Sequence, residues 1–118
     1  MSFRDPRTVL KEHGLWTKKQ FGQNFLIDPF LVERIVSVSG AMPDDIAIEI
    51  GAGCGTLTTM IAPRVSSLTA LEYDRDLIPV VSAELSAHTH VDIREMNVLD
   101  VDWQEEANTA GQPLMLFG

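Results

Sequence analysis

The sequence predicts an α/β domain built on a mostly parallel sheet. Short apolar, strand-like runs alternate with helical segments, the pattern of βαβ units. The first run passes directly into Gly51-Ala52-Gly53-Cys54-Gly55, a glycine-rich turn of the kind that leads from a strand into a helix. With 118 residues, 45% of them hydrophobic, the chain is long enough for one packed domain and too apolar for wholesale disorder.

Residues 1–27 show no clear periodicity and read as a mostly extended arm. Asp28-Pro29 starts a helix: the Asp28 side chain can cap free N–H groups, and proline suits the first helical position. Leu31, Ile35 and Val38 recur at helical spacing, and Gly40 ends the segment. After a turn at Met42–Asp45 come a strand at Ile46–Ile50, the glycine loop and a helix from Thr56 to Arg64. A second strand follows at Ser67–Glu72 and a second helix at Asp76–Ala87, with Pro79 in its first turn and Asp76 as its cap. Val91-Asp92-Ile93 forms a third strand and Pro113–Phe117 a fourth. A parallel sheet needs its faces and edges covered. A strand one residue from the end is therefore expected to be an exposed edge, and the chain to be the N-terminal piece of a longer protein.

Charge is unevenly spread. The net charge is -8, yet residues 1–22 hold Arg4, Arg7, Lys11, Lys18 and Lys19 against only Asp5 and Glu12. A basic arm on an acidic body is compatible with phosphate contact through the arm alone, although from charge alone a solvated tail is the plainer reading. No apolar run is long enough for a membrane-spanning helix, and the N-terminus lacks the pattern of a secretory signal. A single cysteine, Cys54, cannot form an internal disulfide, so a reducing cytoplasm is the expected compartment.

The glycine loop narrows the ligand class. A dinucleotide fingerprint needs glycine at positions 51, 53 and 56, but position 56 is Thr and the third glycine falls at 55. No P-loop is present. The loop better fits a cofactor whose amino-acid tail lies along the backbone, such as S-adenosylmethionine. Glu72, at the end of the second strand, can accept both ribose hydroxyls of an adenosine and disfavours a 2′-phosphate. Together these features define a Rossmann-like domain with a nucleoside site.

Four segments carry a family resemblance. Lys18-Lys19-Gln20-Phe21-Gly22-Gln23-Asn24-Phe25-Leu26-Ile27-Asp28 resembles the N-terminal signature of the ribosomal RNA adenine N6,N6-dimethyltransferases. Glu49–Thr58 is similar to that family's cofactor loop, Leu71–Leu77 to its ribose motif, and Gly111–Gly118 to the strand leading into its catalytic motif. The Gly-Gln-Asn-Phe-Leu block is the most specific of these, and its form after Lys-Lys-x-Phe resembles the small-subunit (16S) branch.

The resemblance implies a Rossmann-like S-adenosylmethionine-dependent methyltransferase fold, here its truncated N-terminal half. It divides the chain into a basic arm at 1–27, carrying the Gly-Gln-Asn-Phe-Leu motif, and a partial methyltransferase domain at 28–118. It implies that Asn24 and Leu26 line the cofactor pocket, that Gly51, with Gly53 beyond it, meets the methionine part, and that Glu72 holds the ribose. The family's adenine-binding aspartate aligns with Asn97, whose side-chain oxygen can still accept a hydrogen bond but without charge. The catalytic Asn-Leu-Pro-Tyr motif would begin after Gly118, so no catalytic residue is assigned and the 118 residues alone are expected to be inactive. The implied reaction transfers two methyls to each of two adjacent adenines in 16S rRNA of the small ribosomal subunit. On this reading Arg4, Arg7, Lys11, Lys18 and Lys19 contact RNA phosphates.

Two rivals remain at this stage: an NAD-dependent oxidoreductase half-domain, and a non-catalytic ribosome-assembly or RNA-binding module. Other features carry plainer readings. His88 and His90 read as solvated surface rather than a metal pair, Cys54 as a small side chain beneath the cofactor, and Trp16 and Trp103 as packing residues.

Overall fold

The computed structural model describes residues 3–15 and 25–118. Four parallel strands form one sheet in the order β3-β2-β1-β4. They are β1 (Ile46–Ile50), β2 (Ser67–Glu72), β3 (Val91–Glu95) and β4 (Leu114–Phe117). In register, Ile46 lies opposite both Ser67 and Leu114, and Leu68 lies opposite Val91. The chain steps outward from β1 to β2 to β3, then returns past β1 to lay β4 on the far side. The sense in which successive strands are added thus changes between β1 and β4, which stay parallel, and this is the switch point where open parallel sheets leave a crevice at their carboxyl ends.

The predicted helices are present, with shifted ends. Helix α2 (Pro29–Val38) begins as expected, Asp28 accepting from the Phe30 and Leu31 backbone N–H groups. Helix α3 (Thr56–Ile61) runs into a 3-10 turn at Ala62–Arg64. Helix α4 (Ile78–Glu84) carries Pro79 in its first turn but is not capped by Asp76. Its N-cap is Leu77, which makes no side-chain cap bond. Asp74 orders the preceding loop instead, its Oδ1 accepting from Asp76 N at 2.9 Å.

Two helices were not anticipated. The mostly extended arm contains α1 (Pro6–Glu12), started by Asp5, whose side chain accepts from Arg7 N. Helix α5 (Trp103–Ala110) lies between β3 and β4, with Asp102 accepting from Glu105 N and Gly111 ending it in the left-handed region. Arg94 on β3 reaches Glu106 on α5 at 2.9 Å, and Gln112 donates to the Asp44 carbonyl, fixing the approach of β4 to β1.

Apolar burial falls into two clusters. The larger joins Ala47, Leu68, Ala70 and Phe117 of the sheet to Val36, Ile61, Val81 and Leu85. The smaller joins Val9 and Leu10 of α1 to Cys54, Leu77 and Val80, with Phe25 and Leu15 against it. A helix as short as α1 is not stable alone. It forms because this packing holds one side of it while Arg4 pairs with Glu12 at 2.6 Å and with Glu84 of α4 at 2.7 Å. Replacing Leu10, which is fully buried, by Ala should therefore destabilise the domain by about 2–5 kcal/mol, measurable in urea unfolding. A surface arm would lose almost nothing.

Candidate functional site

The glycine loop leaves β1 at the switch point and is bound on both sides. Gly51 and Ala52 N–H groups both donate to the Leu71 carbonyl of β2, at 2.9 and 3.0 Å. Glu72, 8% exposed at the end of β2, closes the loop with its carboxylate. Its Oε1 accepts from Gly53 N at 2.7 Å and its Oε2 from Asp74 N at 2.8 Å. Gly53 has φ +63°, and a Cβ there would lie 3.1 Å from the Phe25 ring. Gly55 has φ +87°, with Leu85 equally close to any added Cβ. Both positions combine a backbone that L-residues avoid with packing that leaves no room for a side chain.

Above this loop opens a cavity of about 480 Å³. Leu26, Gly51, Gly53 and Glu72, all expected at the site, line it together. Phe25, Ile35, Leu57 and Phe117 supply apolar walls. Asn97 lies elsewhere, in a second cavity of about 450 Å³ over the ends of β2 and β3, with Tyr73, Arg75 and Asp100. Its Oδ1 already accepts from Leu99 N at 2.9 Å, capping the short 3-10 turn Val98–Asp100. Asn24, Lys18, Lys19 and Trp16 lie outside the described residues.

Glu49 is a lining residue that the site expectations omitted. It is 3% exposed, and Thr58 of α3 donates its hydroxyl to Glu49 Oε1. Burial pushes the carboxyl from its ordinary 4.5 up to about 8, the Thr58 bond pulling against this and the nearby Glu72 charge adding to it. The signal was present in the sequence: a lone acidic residue in an otherwise apolar strand, two positions before the first loop glycine.

Among the described residues the cavity lining contains two carboxyl groups and no Lys, Arg or His. A pyrophosphate would bring negative charge against both acids with nothing to offset it. An adenosine carrying a cationic tail meets the opposite situation. Glu72 spends one lone pair of each oxygen on the backbone and retains acceptor capacity toward hydroxyls.

The remaining sequence expectations divide. Arg4 is held by Glu12 and Glu84, and Arg7 by Asp5 at 2.6 Å, while Lys11 lies on α1. His90 is half-buried rather than solvated, its ring bonded to the Ala62 carbonyl at 2.6 Å. Among the described residues no group of His, Cys, Asp and Glu could hold a metal ion, and no helix is long and apolar enough to cross a membrane. Cys54 is buried in the smaller cluster, and burial pushes its thiol up. Trp103 opens α5, half-buried.

A parallel α/β sheet with this loop and this acidic nucleoside crevice defines the class: a Rossmann-like methyltransferase fold. Comparison with known proteins narrows it. Residues 14–118 match the family described as ribosomal RNA adenine dimethylase, and the chain belongs to that family. It is 38% identical over 110 residues to the ribosomal RNA small subunit methyltransferase A of Magnetococcus marinus, a match covering 93% of this chain and 39% of that protein. Among solved structures it resembles the 23S rRNA methyltransferase ErmE, with 31% identity, a TM-score of 0.63, and coverage of 66% of this chain and 32% of that one. A dimethyladenosine transferase from Plasmodium falciparum shares the fold at 21% identity and a TM-score of 0.62, over 66% of this chain and 29% of its own. The chain thus spans about two-fifths of the relatives it matches. Fold and family together indicate S-adenosylmethionine as the cofactor.

The Glu49 carboxyl makes stability pH-dependent in a defined direction. The folded chain holds this proton more firmly than the unfolded chain, so the contribution is complete below about pH 4.5 and is lost as pH rises to about 8. Urea midpoints across that window should fall for the natural chain relative to Glu49→Gln, whose amide does not titrate. Parallel pH profiles would show that Glu49 does not hold the proton.

Proposed function

We propose that these residues form most of the cofactor pocket of an rRNA adenine N6-dimethyltransferase acting on two adjacent adenines of 16S rRNA. The observation that carries this reading is the cavity at the β1/β4 switch point, lined by Gly51, Gly53 and Glu72 in a chain of this family. The relatives at 37–38% identity over about nine-tenths of the chain are named for the small subunit, which supports the 16S branch. The acid-lined, cation-free cavity disfavours the NAD-dependent alternative.

Bound S-adenosylmethionine supplies an electrophilic methyl on a sulfonium, which already leaves readily. The protein's task is then mainly positioning. Glu72 takes the ribose hydroxyls with the lone pairs its backbone bonds leave open. The Gly51 backbone lies along the methionine part. Leu26, beside Phe25, supplies an apolar wall that excludes water, and the family resemblance alone makes Asn24 a cofactor ligand. Asn97 follows β3, the strand next to that of Glu72, and would hold the adenine. With Oδ1 committed to Leu99 N, one lone pair remains to accept from the adenine amine.

Substrate RNA would meet the basic N-terminal residues of the 1–27 segment, with the 28–118 segment as the catalytic domain's first part. Arg4, Arg7, Lys11, Lys18 and Lys19 supply phosphate contacts, Arg4 and Arg7 after exchanging their carboxylate partners. The small ribosomal subunit is the partner of the whole protein, and the reducing cytoplasm its compartment, consistent with the unpaired Cys54.

Calorimetric titration tests the cofactor class. S-adenosylhomocysteine should bind the folded chain and NAD should not, and Glu72→Ala should weaken binding at least tenfold, about 1.4 kcal/mol. Binding of NAD alone would overturn the reading. The β4 edge is a second test. One side of β4 pairs with β1, and among the described residues no strand pairs with the other. Leu116 is 52% exposed. Such an edge templates pairing with a second chain, so sedimentation should show concentration-dependent self-association, reduced by Leu116→Lys. A monomer at all concentrations would refute it.

A further inference from the structure

Glu49 lies on the wall of the cavity, yet its hydrogen bond goes to Thr58 rather than to the loop, which Glu72 and the Leu71 carbonyl hold. Its surroundings can be taken element by element. From α3 it meets only the Thr58 hydroxyl, and that helix has no charged residue. From β2 it meets Glu72, another acid. Strand β4 is wholly apolar, and the glycine loop carries no charge. Helix α2 turns Ile35 to the cavity, while its Glu33 and Arg34 are exposed. Among the described residues Glu49 makes no ion pair.

We propose that Glu49 is a specificity-determining residue, an acid that exchanges its proton for the positive charge of an entering ligand and so favours the cationic methyl donor over uncharged analogues. This rests on the methyltransferase reading of the cavity. The exchange balances simply: the carboxylic O–H breaks, its proton passes to solvent, and the carboxylate that remains faces the ligand's cation. Without a ligand, the buried carboxyl keeps its proton because no cation among the described residues offsets the charge. Its position near 8 places the exchange in the working range of a protein at neutral pH. A neutral ligand offers no counter-charge and leaves the proton where it is.

The test is titration calorimetry on the 118-residue chain in buffers of different ionisation enthalpy. The probes are S-adenosylmethionine and methylthioadenosine, which keeps the nucleoside and lacks any cationic tail. The cationic donor should release about one proton per molecule bound, and its affinity should rise up to about tenfold per pH unit below about pH 8. Methylthioadenosine should release none and bind with a flat profile. Glu49→Gln should flatten the donor's profile and remove its proton release. Thr58→Val, which keeps the acid and removes the bond that eases its ionisation, should move the rise to higher pH. The natural chain's proton counts for the two ligands decide the question even where a variant fails to fold. Equal proton release for both ligands, or none for the donor, would overturn the role of Glu49 and leave the cofactor reading standing. Failure of both nucleosides to bind would overturn the two together.

Discussion

The site depends on one carboxylate. Glu72 ends β2, the strand beside β1, and its two oxygens hold the backbones of two different loops, at Gly53 and at Asp74. Both N–H groups are half-buried and would otherwise depend on solvent for an acceptor. The same two bonds fix the crevice geometrically. With Leu71 accepting from Gly51 and Ala52, the glycine loop is tied to β2 along its length, so its path follows from sheet register rather than from the loop's own preferences. The glycines permit that path, and the sheet and Glu72 select it.

Behind the loop, the N-terminal helix has a larger part than its charge pattern implies. Val9 and Leu10 pack against Cys54, a loop residue, and against Leu77 and Val80 of the next βα connection. The loop is therefore backed by a cluster of which Cys54, Leu77 and Phe25 also reach the cavity wall. Arg4 clamps the same region by bridging Glu12 and Glu84, whose side chain is largely buried. Bonds of this kind at exposed guanidinium groups add little stability individually. Their effect here is orientation: they set which face of a two-turn helix meets the loop.

Much of this was legible in the sequence, and the failures are instructive. The strands, their parallel sense, the loop and Glu72 follow from apolar runs and one glycine pattern, because a buried parallel sheet tolerates little else. Asp28-Pro29 was read as a helix start, yet Asp5-Pro6 is the same signal and was passed over. The difference is length. Ten residues with recurring apolar positions declare a helix, whereas seven with only Val9 and Leu10 inside do not, and tertiary packing makes up the deficit. Helix α5 has a complete set of end signals in Asp102, Glu105 and Gly111, but no buried residue, so periodicity is silent there. Asp76 is not the cap because the helix begins one residue later than the sequence suggests, with Leu77 at the N-cap position. Asn97, aligned by resemblance, stands after β3 as its place in the sequence implies, with Oδ1 accepting from Leu99 N.

Glu49 poses the remaining question of why an acid stands there at all. For folding alone it is a poor choice. A glutamine of the same shape would accept the Thr58 hydroxyl equally well and would carry no charge to desolvate. At neutral pH the acid must either hold a proton that solvent would remove or stand ionised near Glu72 without a cation, and both states cost free energy relative to the amide. Other positions along β1 avoid such a cost by being apolar. Residues that weaken the empty fold in this way concentrate where a ligand repays the strain. The two acids of this cavity therefore divide the labour: Glu72 is satisfied by backbone and builds the crevice, whereas Glu49 is left in need of a positive charge that nothing on the described chain provides.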